Sequence, residues 1–216
     1  MKKAGAPYLL FLGDVQDELS IKGCTGVTIW RPEKAHAQIR LEGGTQDLGL
    51  PNMAPAEAAA AGCQTMLVGV ANAGGFVPEA WVPTIIAALE AGLDVMAGMH
   101  KRMADIPEIA AAAAANGRTL FDVRQPSQDF KVGKGYKRAG KRVLTVGTDC
   151  SLGKMFTSLA LEKEMLAQGL KATFRATGQS GIFIVGEGVA VDGVVADFIA
   201  GSVEWLCPEN EPDHWD

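Results

Sequence analysis

The chain carries the stretch VLTVGTDCSLGKMFT at residues 143–157, and this stretch decides the fold of its second half. Four residues typical of a strand lead into a turn with Gly147 and Gly153, and Lys154 then opens a segment with helical spacing. Glycines let a backbone fold around an anion, the first N–H groups of a helix point toward it, and a lysine adds positive charge. The stretch therefore predicts a strand, a phosphate-binding loop and a helix that runs to Gln168.

The residue after Lys154 bears on the question of a metal. In the usual G-x4-G-K-[ST] pattern, the hydroxyl at this position binds the Mg²⁺ that accompanies ATP. Here five residues separate the two glycines instead of four, and the position is Met155, whose thioether does not ligate a hard cation. Thr157 and Ser158 face other directions, because a helix turns by about 100° per residue. We expect a phosphate site whose metal ligand is missing or relocated, so that no metal is required; a ligand-free glycine turn is the alternative.

The predicted phosphate-binding residues are Gly147, Thr148, Asp149, Cys150, Ser151, Gly153, Lys154 and Met155. Cys150 is either a thiol activated by the start of the helix or a small side chain that fills a tight turn. The four cysteines form no C-x-x-C pair, which is typical of reduced thiols in a cytoplasmic protein. The three histidines show no metal-ligand spacing, so we expect no zinc site.

Strands and helices alternate ahead of this stretch. Strands are predicted over 8–12, 27–30, 65–70, 94–97 and 119–123, and helices over 55–61, 82–91 and 106–115. Such alternation is typical of a parallel sheet with helices on its faces, so the fold class is α/β.

The chain divides into two unequal domains in this interpretation. Residues 1–124 form the first, 125–142 a basic linker, and 143–216 a second domain with a further strand over 171–175. The linker is either a solvated connector or a segment that reaches an anionic ligand. The second domain offers few strands for its architecture, so we expect a truncated domain and a gene product that continues, with part of the active site in the missing segment.

Composition narrows the function classes. The chain has 216 residues, 48% of them hydrophobic, and a net charge of −5, which argues against general binding to nucleic acid or anionic membranes. Its apolar runs are too short to span a bilayer, and its N-terminus does not read as a signal peptide. We expect a cytoplasmic protein that binds a small molecule.

The sequence resembles the D-glutamate N-acetyltransferase family, long catalogued as one of unknown function. The shared segments are DLGLPNM, VGVANAGGFVPEAW, GLDVMAGMHKRMADIP, GTDCSLGKMFTSLALEKEM, FRATGQSG and VDGVVADFIAGSVEWL, which together extend over nearly the whole chain. The loop itself is similar to the GTDxxxGK loop of dethiobiotin synthetase. The resemblance implies a Rossmann-like domain followed by a P-loop NTPase-like domain, with acetyl-CoA as acetyl donor and D-glutamate as acceptor.

Acetyl transfer from coenzyme A fits the loop chemically, because a diphosphate needs the glycines and Lys154 but no magnesium. The transfer also needs a base for the amine proton and a donor to the oxyanion. Candidate bases are Asp149 and Glu187. Asp149 is alternatively a helix-capping acid and Glu187 an exposed turn residue.

The two carboxylates of D-glutamate require cations. Arg175 ends a predicted strand beside the loop and is the first candidate, because open α/β sheets bind ligands at the ends of strands. Lys101 and Arg102 are the next candidates, or else a solvated pair at the start of a helix.

Two other functions stay open at this point. The first is an ATP-dependent ligase or kinase of the dethiobiotin-synthetase type, in which Asp192 or Asp197 holds magnesium; Met155 counts against it. The second is a nucleotide sensor without catalysis. A symmetric homo-oligomer is expected for any of these enzymes.

Overall fold

A computed structural model describes residues 3–72, 74–126, 128–149 and 152–216. Its centre is a parallel five-stranded sheet with the strand order β2-β1-β3-β4-β5. The strands are β1 (Tyr8–Gly13), β2 (Ala35–Arg40), β3 (Thr65–Val68), β4 (Asp94–Ala97) and β5 (Leu120–Asp122). The helices in the described ranges are α1 (Lys22–Trp30), α2 (Pro55–Ala60), α3 (Val82–Glu90), α4 (Pro107–Ala115), α5 (Lys154–Ala167), α6 (Gln179–Val185) and α7 (Ile199–Leu206). The sequence-based prediction of an α/β fold with a Rossmann-like first part is confirmed.

Helices cover both faces of the sheet. Across the sheet, the chain moves in one direction from β1 to β2 and in the opposite direction from β2 to β3, β4 and β5. Because crossovers between parallel strands are right-handed, α1 lies on one face of the sheet and α2, α3 and α4 lie on the other. The contacts agree, since α3 packs against both α2 and α4, whereas α1 packs against α6. A central strand covered on both sides has no polar face, and every residue of β1 is buried. This is why YLLFLG is an unbroken apolar run.

The predicted strand over 27–30 is wrong, because these residues form the end of α1. Val27 is buried while Ile29 is 54% exposed, which fits a helical period and not strand alternation. Small residues bring α1 close to the sheet: a Cβ at Gly23 would lie 2.8 Å from the carbonyl oxygen of Gly69. The second strand is instead β2, whose sequence AHAQIR is too polar to stand out; within it Gln38 is buried and accepts from the Leu48 amide at 2.8 Å.

The predicted strands over 143–146 and 171–175 are also wrong, because neither segment forms a strand in the structure. Isolated bridges instead join Trp215 to Lys141 on one side and to Ala172 on the other. The Val143 amide donates to the carbonyl oxygen of Asp216 at 3.0 Å. Three short extended segments therefore lie side by side, with 214–216 in the middle, and the apolar side chains of residues 143, 144 and 146 are exposed.

The second half of the chain shares the core of the first. Leu159 of α5 and Phe183 and Ile184 of α6 are buried in the same apolar cluster as β1, β3 and β4. Lys34, just before β2, donates from its Nζ to the carbonyl oxygen of Ile184 at 2.9 Å. Helix α6 thus covers the sheet face beside α1, where the first part supplies no further helix among its described residues. The domain limits at 124 and 143 stay predictions.

The basic linker is fastened to α7. The Glu204 carboxylate accepts hydrogen bonds from the backbone amides of Lys134 at 2.9 Å and Gly135 at 2.6 Å. The Arg138 guanidinium donates to the carbonyl oxygens of Glu204 and Cys207. The segment therefore follows a defined path, although it has no regular secondary structure where the structure describes it.

Replacing Glu204 by Gln should lower the melting temperature at neutral pH. The two backbone amides hold the pKa of the Glu204 carboxyl below its ordinary value of 4.5, so its ionised form stabilises the fold. A lowered folded-state pKa adds stability above the unfolded pKa, and this stability is lost as pH falls through the folded value. Melting curves from pH 7 down to about pH 3 should show the wild-type and Glu204→Gln curves converging below pH 4.5. A constant difference would mean that the charge is not the cause.

Candidate functional site

The loop that precedes α5 folds over its own lysine. Gly153 has a φ of 91°, which a residue with a side chain adopts only with strain, and α5 begins at the next residue. The Lys154 Nζ turns back and donates to the carbonyl oxygen of Asp149. A Cβ at Gly147 would lie 3.3 Å from the Cδ of Lys154, so the lysine stem lies across a position without a side chain. The lysine side chain therefore folds back onto the loop, and its ammonium contacts a carbonyl oxygen of the loop.

The hydroxyl groups near the loop are engaged with one another. The Thr145 and Ser158 hydroxyls are 2.8 Å apart, and both contact the carbonyl oxygen of Lys154, at 3.1 and 3.2 Å respectively. Met155 is partly buried and packs against the apolar core. The position that carries a metal-ligating hydroxyl in the usual pattern thus serves packing, and the hydroxyl of Ser158 already has two partners.

Helix α5 packs against the C-terminal end of α1. The rings of Phe156 and Trp30 meet edge to face, with centroids 5.6 Å apart. The Arg31 guanidinium lies 2.8 Å from the Glu162 carboxylate, whose other oxygen accepts the Phe174 amide at 2.7 Å. These contacts fix the orientation of the helix whose first residue is the loop lysine.

Arg175 has a partner that the sequence analysis missed. Its Nε and Nη2 both lie 2.9 Å from Oδ1 of Asp216, whose side chain is fully buried. His214 is beside them, with its Nε2 at 2.9 Å from the Thr173 hydroxyl. The two members of the ion pair are far apart in sequence, and only the bridge between 171–173 and 214–216 brings them together. Arg175 is therefore already paired with a carboxylate.

The other predicted substrate-binding residues lie at one end of the sheet. Lys101 and Arg102 follow β4 and are exposed, and Arg102 is 3.1 Å from Asp105. Loops meet there, since the carbonyl oxygen of Gly75 accepts from the amides of His100 at 2.8 Å and Lys101 at 3.0 Å. This is the carboxyl edge of the sheet, where open α/β folds bind ligands.

Glu187, the second candidate base, lies at the opposite end of the sheet from Lys101 and Arg102. Its carboxylate is 2.8 Å from Nζ of Lys3, ahead of β1, and both side chains are exposed. The preceding Gly186 approaches the hydroxyl of Tyr8, the first residue of β1. All strands are parallel, so Glu187 is separated from the β4 end by the length of the sheet. Its geometry is that of an exposed ion pair.

Asp122 is a half-buried carboxyl that the sequence analysis overlooked. Burial raises its pKa, opposed by hydrogen bonds from the backbone amides of Met103 at 2.8 Å and Ala104 at 3.2 Å. It ends β5 and holds the turn before α4. The only indication of this residue in the sequence is an aspartate at the end of a predicted strand. Such aspartates are common, so the sequence alone does not single out Asp122.

The remaining predicted loop residues divide into two groups. Thr148 and Asp149 are exposed. Cys150 and Ser151 lie outside the residues that the structure describes, so their predicted roles are untested. No group of three or more His, Cys, Asp or Glu side chains within the described ranges is arranged to hold a metal ion. No helix in those ranges is both long and apolar enough to cross a bilayer.

Known proteins match almost the whole chain. A model of a domain of unknown function, the DUF1611_N Rossmann-like domain, matches residues 33–126, and the DUF1611_C P-loop domain matches residues 130–216. A D-glutamate N-acetyltransferase of Tritonibacter scottomollicae is 53% identical over 210 residues, and one of a Pseudoalteromonas species is 47% identical. These matches include 97% of this chain and 63% of each relative, so the chain spans less than two thirds of their length.

A solved structure supports the same assignment. The crystal structure of a DUF1611 family protein from Anabaena variabilis superposes with a TM-score of 0.76 at 29% identity. The match covers 96% of this chain and 64% of that one. With both family domains matched in order, this chain belongs to the DUF1611 family, with a Rossmann-like match followed by a P-loop match.

Proposed function

We propose that the chain belongs to an N-acetyltransferase that transfers the acetyl group of acetyl-CoA to the amino group of D-glutamate. Two relatives at 53% and 47% identity carry the name D-glutamate N-acetyltransferase. The observation that carries the proposal in this chain is the position of Lys154, whose ammonium donates to the carbonyl oxygen of Asp149 in a glycine loop. A neutral carbonyl is a weaker partner for an ammonium than a phosphate oxygen, so a diphosphate should displace it.

The residues present fit the diphosphate of coenzyme A. Helix α5 has 14 residues, so its first N–H groups and its dipole favour an anion at Gly153 and Lys154. Residue 155 offers no oxygen to a cation, and the diphosphate of a thioester donor does not require one. When bound, acetyl-CoA supplies an acetyl group already activated as a thioester. The part of this chain is to hold and orient it.

The proton of the acceptor amine needs a group on this chain or on the rest of the protein. Asp149 is our candidate base, because it lies in the same loop as Lys154. Glu187 stays the second candidate base, and its exposed carboxylate is paired with Lys3. The proposed cations for the two substrate carboxylates are still Arg175, Lys101 and Arg102. Arg175 is paired with Asp216, so its guanidinium would have to bind the substrate in addition to Asp216 or in place of it.

The setting proposed for this enzyme is the cytoplasm, in a homo-oligomer. In support, Cys24, Cys63 and Cys207 are free thiols, and the first two are buried.

Ligand titration should separate acetyl-CoA from ATP. Saturating acetyl-CoA with EDTA should raise the melting temperature of the 216-residue chain by about 5 to 10 °C, since a ligand at 100 times its Kd adds about 2.7 kcal/mol. Coenzyme A should act similarly, and ATP with magnesium should have little effect. A shift with magnesium-ATP alone would instead support a ligase or kinase of the dethiobiotin-synthetase type.

Acceptor choice is tested by thiol release. The complete protein should release coenzyme A from acetyl-CoA at a rate that depends on D-glutamate and far less on L-glutamate. Equal rates with both, or a rate independent of either, would exclude D-glutamate as the specific acceptor. The conclusion about acetyl-CoA binding would be unaffected, because the ligand titration tests it separately.

A further inference from the structure

The face of the sheet that carries α6 contains a cavity over the edge strand β5. Its volume is about 240 Å³, and its walls are largely apolar, including Leu120, Phe121, Val123, Ile182, Ala190 and Trp205. The cavity exists because the chain leaves β5 for the linker and forms no helix over this strand. Helix α6 covers its inner side and α7 its outer side.

One wall of the cavity contains a hydrogen-bond acceptor that lacks a partner. Gln125 donates from Nε2 to the carbonyl oxygen of His100 at 2.8 Å, which fixes the orientation of its amide. Its Oε1 is buried and has no hydrogen-bond partner among the residues that the structure describes. Buried acceptors in folded proteins nearly always have a partner, whether protein, water or ligand.

The neighbouring carboxyl differs in this respect. Asp122 also lines the cavity, but its two oxygens already accept the amides of Met103 and Ala104. Burial raises the pKa of Asp122, which agrees with a surrounding of low polarity. The acceptor in need of a donor is therefore on Gln125.

An aromatic pair forms the outer wall. Phe130 and Trp205 meet edge to face with ring centroids 5.7 Å apart. Both residues also line a more open groove of about 570 Å³ between the linker and α7. The pair thus stands between the cavity and the solvent-facing groove.

We propose that this cavity is a binding site for a mainly apolar, neutral small molecule with one N–H or O–H group, which donates to Oε1 of Gln125. A dry cavity of about 150 Å³ binds benzene, so the larger volume here suits a bicyclic molecule such as indole. The proposal is independent of the acetyltransferase function, because it involves neither the loop at 147–154 nor its ligands.

Indole and benzofuran are a matched pair of probes, because they share a shape and differ in the N–H group. Ligand-observed NMR titration of the 216-residue chain should give an indole Kd about fivefold below that of benzofuran, the effect of one neutral hydrogen bond. Gln125→Met should remove this preference while leaving benzofuran binding nearly unchanged. Ala190→Leu, which fills the cavity, should weaken both ligands at least tenfold.

Ala196→Leu is the control, because it makes the same substitution at an exposed position outside the cavity and should leave both affinities unchanged. Melting curves of each variant show whether it is folded, and Ala190→Leu tests the cavity without touching the Gln125 contact. Equal affinities for indole and benzofuran would overturn the proposed hydrogen bond to Gln125. Binding that survives Ala190→Leu, or no binding of either probe to the wild-type chain, would overturn the proposal.

Discussion

Substituting Lys154 by Ala should weaken acetyl-CoA binding about 10- to 100-fold. A charge-assisted hydrogen bond from an ammonium to a phosphate contributes about 1.5 to 3 kcal/mol, and the variant has no other side chain to replace it. The fold should tolerate the change, because the present partner of Lys154 is a carbonyl oxygen of the exposed loop and alanine favours a helix. Isothermal titration with acetyl-CoA in EDTA measures the effect directly.

Lys163→Ala provides the matched control for this experiment. Lys163 is exposed and lies on the same helix, about two and a half turns from Lys154. Its substitution by Ala removes the same charge from the chain. Its affinity for acetyl-CoA should stay within about twofold of the wild type, since screened surface charges contribute little. If both variants lose the same amount, the effect is general electrostatics, and if neither loses any, the loop does not bind the diphosphate.

The first part of the fold is largely readable from the sequence because its strands are buried on both faces. β1, β3 and β4 appear as apolar runs, and glycines after the helices mark their ends; Gly92, with a φ of 90°, follows α3 in this way. The polar edge strand β2 left no such signal. Residues 27–30 were misread because β-branched and aromatic side chains favour strands, whereas the packing of α1, whose Gly23 lies against Gly69 and Phe183, selects a helix.

The second part is less predictable because its contacts are non-local. The segment at 143–146 has a strand-like sequence, yet it lacks neighbours along most of its length in the described chain, and propensity alone does not make a sheet. Arg175 is a predicted substrate ligand, but its partner Asp216 is 41 residues away and nothing in the local sequence indicates it. The strand-loop-helix pattern around Lys154 is local, so the sequence predicts correctly that a helix begins there, whereas the phosphate ligand of the loop stays a prediction.

Phe183→Ala should cost about 3 to 5 kcal/mol of unfolding free energy, the range for removing a buried aromatic ring. Phe183 is 3% exposed and lies in the same cluster as the sheet. A Cβ at Gly98, just after β4, would be 2.8 Å from its Cζ, and one at Gly23 of α1 would be 3.0 Å from its Cδ2. The ring therefore joins α6 to α1 and to the sheet. Urea unfolding followed by circular dichroism and by tryptophan fluorescence measures the loss.

Phe156→Ala is the comparison, because it removes the same ring from the exposed side of the interface between α5 and α1. Phe156 is 37% exposed, and its main contact is the edge of Trp30, so we expect a loss of about 1 to 2 kcal/mol. If α6 is part of one core, Phe183→Ala lowers the midpoint for both probes together, with a single transition as in a two-state protein. If the two halves are separate folding units, the same substitution splits the transition and leaves the midpoint of the sheet near its wild-type value. The second result would mean that the P-loop half packs against the Rossmann-like half without sharing its core. Helix α6 would then not be part of the cooperative unit that contains the sheet.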